Sequence, residues 1–137
     1  MMRNVMYLAV GMVVLAGCVS VHETRHVKER PATVEPDRVL RHVVLFKFKD
    51  GTTDEQIRQI EEAFCALPGK VDEIYALEWG TDVSVENVSQ GFTHCFLVSF
   101  LSEADRAVYL PHPEHKAFGT LLRPHLDQVL VVDYWTH

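Results

Sequence analysis

Four side chains in this sequence are suited to proton chemistry: His42, His94, His115 and Tyr109. His42 and His94 each share strand parity with large apolar residues, which puts them on faces otherwise built for a core. His115 follows Pro113, a residue that suits the first turn of a helix, and there the positive end of the helix dipole disfavours imidazolium. Tyr109 ends the preceding helix, close enough in sequence for its hydroxyl to approach the same cavity. A neutral imidazole beside a phenol removes a proton α to a carbonyl and stabilises the enolate oxygen. Phe96, Val98 and Phe118 lie on the same apolar faces and are the expected wall of a ligand pocket. Two blander readings stand beside the catalytic one. The pocket binds without chemistry, or the histidines are structural, donating to backbone carbonyls and fixing strand or helix ends; His112 reads as a helix-entry residue. No metal site is expected, because the strand pattern brings no thiolate or carboxylate to these histidines. No cofactor is expected either. Glu61 and Glu62 are read as part of a solvated helix face, and Trp79 and Trp135 as core or rim packing.

The elements that must position these residues are legible from Arg38 onward. Val39–Lys49 (VLRHVVLFKFK) reads as a strand, with His42, Val44, Phe46 and Phe48 on one face and Val43 and Leu45 on the other. Asp50-Gly51 turns the chain. Thr53 is a plausible cap for a helix whose first turn carries Asp54 and Glu55 and whose apolar face is Ile57, Ile60, Phe64 and Leu67; Pro68-Gly69 stops it. Val71–Val83 reads as a second strand, Val85–Gly91 as a loop and Phe92–Leu101 as a third strand. Ser102 caps a short helix with Ala104, Val108 and Tyr109. Pro111-His112-Pro113 breaks it and opens another, with Phe118, Leu121 and Leu122 inward and Pro124 as its stop. Val129–Trp135 is the last strand. The order β-α-β-β-α-β is the split unit of an α+β ferredoxin-like fold. Strands one, three and four are apolar on both faces, so helices on one side leave a sheet face uncovered. A second copy of the same sheet is the simplest cover, and a homodimer is expected.

Before this domain lies a different kind of sequence. A short basic start at Met1–Asn4 precedes an apolar run from Val5 to Leu15, about 11 residues long, and small residues follow. The run is too short to span a bilayer core, which needs about 20 residues. Leu15-Ala16-Gly17-Cys18 resembles the lipobox of bacterial lipoproteins. The resemblance implies cleavage after residue 17, diacylglycerylation of Cys18 and membrane attachment, and Val19 after it implies the outer membrane facing the periplasm. One acyl chain anchors only marginally, so several chains make the attachment lasting. Residues 18–37 then form a tether containing Pro31 and Pro36, with His22 and His26 as solvated tether residues. An envelope location permits a disulfide between Cys65 and Cys95. Free buried thiols are the expectation, one on a helix and one on a strand.

The chain has 137 residues, 47% of them hydrophobic and 23% charged, which suits one globular domain of residues 38–137. Its net charge of −6 lies after Asp37, where 9 Lys and Arg face 15 Asp and Glu. That balance argues against nucleic acid, which needs a cationic patch. Arg41–Lys49, Gly91-Phe92-Thr93-His94, His112-Pro113-Glu114-His115 with Phe118, and Val131-Val132-Asp133-Tyr134 together resemble the stress-responsive dimeric α/β-barrel (Dabb) family. The resemblance implies a ferredoxin-like unit paired into a two-fold barrel. It covers about residues 38 to 136. The family includes a plant polyketide cyclase whose catalytic tyrosine and histidine fall on Tyr109 and His115, and whose supporting histidines fall on His42 and His94. Three functions follow as expectations: an envelope module binding a small hydrophobic molecule, an enzyme using Tyr109 and His115, or a structural envelope lipoprotein.

Overall fold

A computed structural model describes residues 36–137. The leader at 1–17, Cys18, His22 and His26 lie outside the described residues. β1 (Leu40–Phe48) is followed by α1 (Asp54–Cys65), a 3-10 turn (Leu67–Gly69), β2 (Ala76–Thr81), β3 (His94–Phe100), α2 (Glu103–Tyr109), α3 (Pro113–Leu122) and β4 (Leu126–Trp135). The four strands form one antiparallel sheet in the order β2-β3-β1-β4. This is the ferredoxin-like α+β arrangement, with β1 in the interior of the sheet.

Local chemistry sets the element ends. Thr53 forms a capping box with Gln56: the threonine hydroxyl accepts from the Gln56 amide, and the glutamine carbonyl accepts from the Thr53 amide. Ser102 Oγ accepts from Asp105 N at 3.0 Å and starts α2. His112 Nδ1 accepts from Glu114 N at 3.2 Å and starts α3, the helix-entry role expected of it. Gly51, with φ +84°, supplies the left-handed residue that the turn after β1 requires.

Strand alternation sets the core. His42, Val44 and Phe46 point to the helix side and pair in register with Val98, Phe96 and His94 on β3 and with Asp133, Val131 and Val129 on β4. Ile60 and Phe64 of α1, Tyr109 of α2, and Phe118 and Leu122 of α3 close over this face. Phe64 stacks on Phe96 with ring centroids 4.1 Å apart, and Phe118 meets Phe64 edge-on at 4.8 Å. Each such side chain contributes about 1.5–3 kcal/mol by leaving water.

The structure departs from the strand boundaries read in the sequence. β2 begins at Ala76, because Asp72 and Glu73 lie in a turn that lets Val71 and Ile74 reach the core. β3 begins at His94, since the Gln90-Gly91 turn, left-handed at both residues, holds Phe92 outside the ladder. β4 begins at Leu126, directly after the turn that contains Pro124. Cys65 and Cys95 are free thiols, but both are exposed rather than buried in this chain. Cys95 shares the outer sheet face with Val43, Leu97 and Val132. Leu130, Val132 and Tyr134 of β4 are also close to half exposed there. Val129 and Val131, on the helix side, are as open. The helices therefore leave the sheet partly unroofed along the β4 edge.

Candidate functional site

Beneath that unroofed edge is a cavity of about 280 Å³, floored by Val44, Phe46, Val129 and Val131 and walled by Phe118 and Leu122. Its polar groups come from three elements: His42 from β1, Tyr109 from α2 and His115 from α3, with Arg123 at the end of α3. Across the break at Pro111–Pro113 the rings of Tyr109 and His115 meet with centroids 4.3 Å apart. Tyr109 also meets the His42 ring edge-on at 6.0 Å. The phenol therefore stands between two imidazoles.

Hydrogen bonding decides what each ring presents. His115 Nδ1 lies 3.0 Å from the Leu110 carbonyl oxygen, which can only accept, so Nδ1 carries a proton and Nε2 is the acceptor of the neutral imidazole. His42 Nδ1 lies 2.7 Å from Asp133 Oδ1 and donates to that carboxylate. Asp133 Oδ2 in turn pairs with Arg106 at 3.2 Å. No described side chain engages the Tyr109 hydroxyl. Tyr109 is fully buried, and its side chain lines the cavity. Burial pushes the Tyr109 phenol far above its usual range, which keeps it a proton donor at any ordinary pH. The site thus offers one phenol donor and imidazole acceptors in apolar surroundings. That arrangement polarises a carbonyl and accepts a proton beside it.

The expected site residues separate into two groups. His42, Tyr109, His115 and Phe118 line the cavity; His94, Phe96 and Val98 do not. Phe96 and Val98 are fully buried in the core. His94 lies on the same sheet face as His42 but opposite Phe46, four residues along β1 and therefore about 13 Å away along the strand. There His94 Nε2 donates to Glu61 Oε1 at 2.9 Å, and Nδ1 bonds Thr93 Oγ1 at 2.8 Å. Phe48 abuts the ring edge-on, and the Trp79 ring lies parallel to it. Both nitrogens are engaged, so this histidine ties β3 to α1. Glu61 is accordingly no mere solvated carboxylate: it is the buried histidine's partner. Glu62 forms no such contact. Trp79 stacks on Phe96 at 5.5 Å, and Trp135 bonds Glu103 while Arg38 lies over its ring. Asp133 and Arg106 were not singled out by sequence. A strand-parity signal existed for Asp133, which shares the inward face with Val129 and Val131. Among the described residues, no three His, Cys, Asp or Glu side chains converge as a metal site would require.

Comparison with known proteins adds context to this geometry. The family model described as Stress responsive A/B Barrel Domain (Dabb) matches residues 40–136. The chain is 41% identical over 95 residues to stress-response A/B barrel domain-containing protein HS1 of Arabidopsis thaliana, spanning 69% of this chain and 87% of that one. It is 30% identical over 95 residues to olivetolic acid cyclase of Cannabis sativa, spanning 69% and 94%. Among solved structures, hydroxynitrile lyase from Passiflora edulis matches with a TM-score of 0.68 at 29% identity, over 72% of this chain and 94% of that one. A protein from Bacteroides fragilis, described as dimeric with a ferredoxin-like fold, matches with a TM-score of 0.58 at 28% identity, over 70% and 94%.

Proposed function

Because the chain belongs to the stress-responsive A/B barrel domain family, we propose that its cavity binds a small, mainly apolar molecule bearing a carbonyl group. In this reading the domain works as a homodimer held at the outer membrane by lipid on Cys18. One observation carries the ligand class: Tyr109, whose hydroxyl no described side chain engages, and His115, whose Nδ1 is held by the Leu110 carbonyl, line a space otherwise walled mainly by Phe, Leu and Val. The volume is at the small end of ligand sites. The uncovered apolar face of Val43, Leu97, Leu130 and Val132 supports the dimer, as does the dimeric Bacteroides fragilis neighbour. The lipobox-like Leu15–Cys18 supports the anchor.

Calorimetry with alkyl phenyl ketones, from acetophenone to hexanophenone, tests the ligand class. Saturable binding is expected, with the alkylbenzenes of equal length about tenfold weaker, the worth of one hydrogen bond to a buried donor. Equal affinity for ketone and hydrocarbon would remove the polar pair from recognition.

A second reading is acid–base catalysis. The pairing of an unprotonated His115 Nε2 with a protonated Tyr109 favours it. Tyr109 would hold the carbonyl oxygen while His115 takes the α-proton. The resemblance to olivetolic acid cyclase is consistent with this chemistry. Exchange of the ketone α-protons in deuterated water, followed by NMR, reads it directly. Exchange at the uncatalysed rate leaves binding as the function.

A further inference from the structure

His42 is held from behind by a carboxylate that is itself shared. Asp133 Oδ1 receives the His42 Nδ1 proton at 2.7 Å, and Asp133 Oδ2 faces the Arg106 guanidinium at 3.2 Å. The three residues come from three elements: His42 from β1, Asp133 from β4 and Arg106 from α2, one turn before Tyr109. Arg106 and Asp133 are partly solvated, so their attraction adds little to overall stability. Their placement bears on the site. Arg106 anchors the segment of α2 that delivers Tyr109 to the end of the sheet that delivers His42.

The geometry points to Arg106 as a positioning residue that fixes the proton on His42. With the guanidinium on Oδ2, the carboxylate orients the imidazole without drawing a second proton onto it. Nδ1 donates to Asp133, and Nε2 stays bare towards the cavity. His42 is then a second acceptor on the far side of Tyr109 from His115. This deepens the ligand reading given above and rests on it only for what Nε2 would contact. The other groups that bear on His42 are Tyr109 from α2 and, across the cavity, His115 and Arg123 from α3. Arg41, its neighbour in β1, points to the outer face and bonds Ser99.

Imidazole nitrogen shifts of the full chain labelled with nitrogen-15 histidine, followed against pH, test this assignment. The wild type is expected to show His42 with Nδ1 protonated and Nε2 bare at neutral pH. Arg106→Met leaves Asp133 uncompensated and is expected to move the His42 midpoint up by about half a unit to one unit. Arg106→Lys keeps the charge and is expected to hold the wild-type midpoint. Asp133→Asn is expected to move it down and to loosen the Nδ1-protonated tautomer. A purely structural ion pair would lower the melting temperature in these variants and leave the His42 tautomer and midpoint where they were, which would overturn the assignment. Ketone binding is a separate measurement: its failure in the wild type would sink the ligand reading and leave the His42 titration standing.

Discussion

The rings of Tyr109 and His115 touch across the break between α2 and α3, with centroids 4.3 Å apart. The Leu110 carbonyl beside them fixes which His115 nitrogen carries the proton. A short interruption between two helices thereby does what a longer loop would do less firmly. It sets a donor and an acceptor side by side and locks the acceptor's tautomer.

Removing the acceptor should separate binding from chemistry. His115→Gln keeps a hydrogen-bonding side chain but no titratable base. Ketone affinity is expected to stay within about threefold, while α-proton exchange falls by 10²-fold or more, the usual contribution of a positioned base. Unchanged exchange in this variant would remove His115 from the chemistry.

Burial of Tyr109 should cost the fold stability in alkali. Its phenol is raised in the native state, so below the ordinary phenol value of 10.0 both states hold the proton and no stability depends on it. Above that value the unfolded chain ionises first, and stability falls as pH rises towards the native value. Urea midpoints measured from pH 8 to 11 should drop more steeply for the wild type than for Tyr109→Phe. Parallel curves would mean that the phenol is not buried as described.

The two inward histidines of the sheet should respond differently to loss of their carboxylates. Glu61→Ala leaves His94 buried with its Nε2 unpaired, a cost of about 1–3 kcal/mol in unfolding experiments. Ketone affinity should not change, because His94 lies outside the cavity. A binding defect equal to that of a cavity variant would contradict this separation.

Light scattering checks the outer face. The wild type is expected as a dimer at micromolar concentration, and Val132→Asp as a monomer, since Val132 lies on the uncovered side of the sheet. A wild-type monomer would sink the paired barrel.

Lipid attachment has its own readout. The wild-type chain expressed in a bacterium should partition into detergent and take up labelled palmitate, and Cys18→Ser should do neither. Incorporation independent of Cys18 would dismiss the anchor.

Sequence patterning made the sheet legible because burial alternates along β1 from Leu40 to Phe46 and over the first half of β3, and because Thr53, Ser102 and Pro113 mark helix starts by simple capping chemistry. What it could not supply were the pairings across space. The alternation of β3 put His94 and His42 on one face, yet register places them on different rows about 13 Å apart along the strand. Glu61 was read from its own helix, where it looks solvated, and only its position against β3 makes it the partner of a buried histidine. The cysteines were expected to be free and buried. Cys95 instead sits on the face that a single chain leaves open.

The strand order carries a consequence for how the molecule comes to exist. β1, the first element of the domain, hydrogen-bonds on one side to β3 and on the other to β4, whose register pairs Leu40 with Trp135. Nearly the whole domain must be closed into a loop before that pairing forms, which makes the fold dependent on non-local contacts and slows its formation. A nascent chain emerging from its N-terminal side therefore carries β1 without its β4 partner until residues through Trp135 have been made. Anything that moves or holds this chain during synthesis must handle it unfolded.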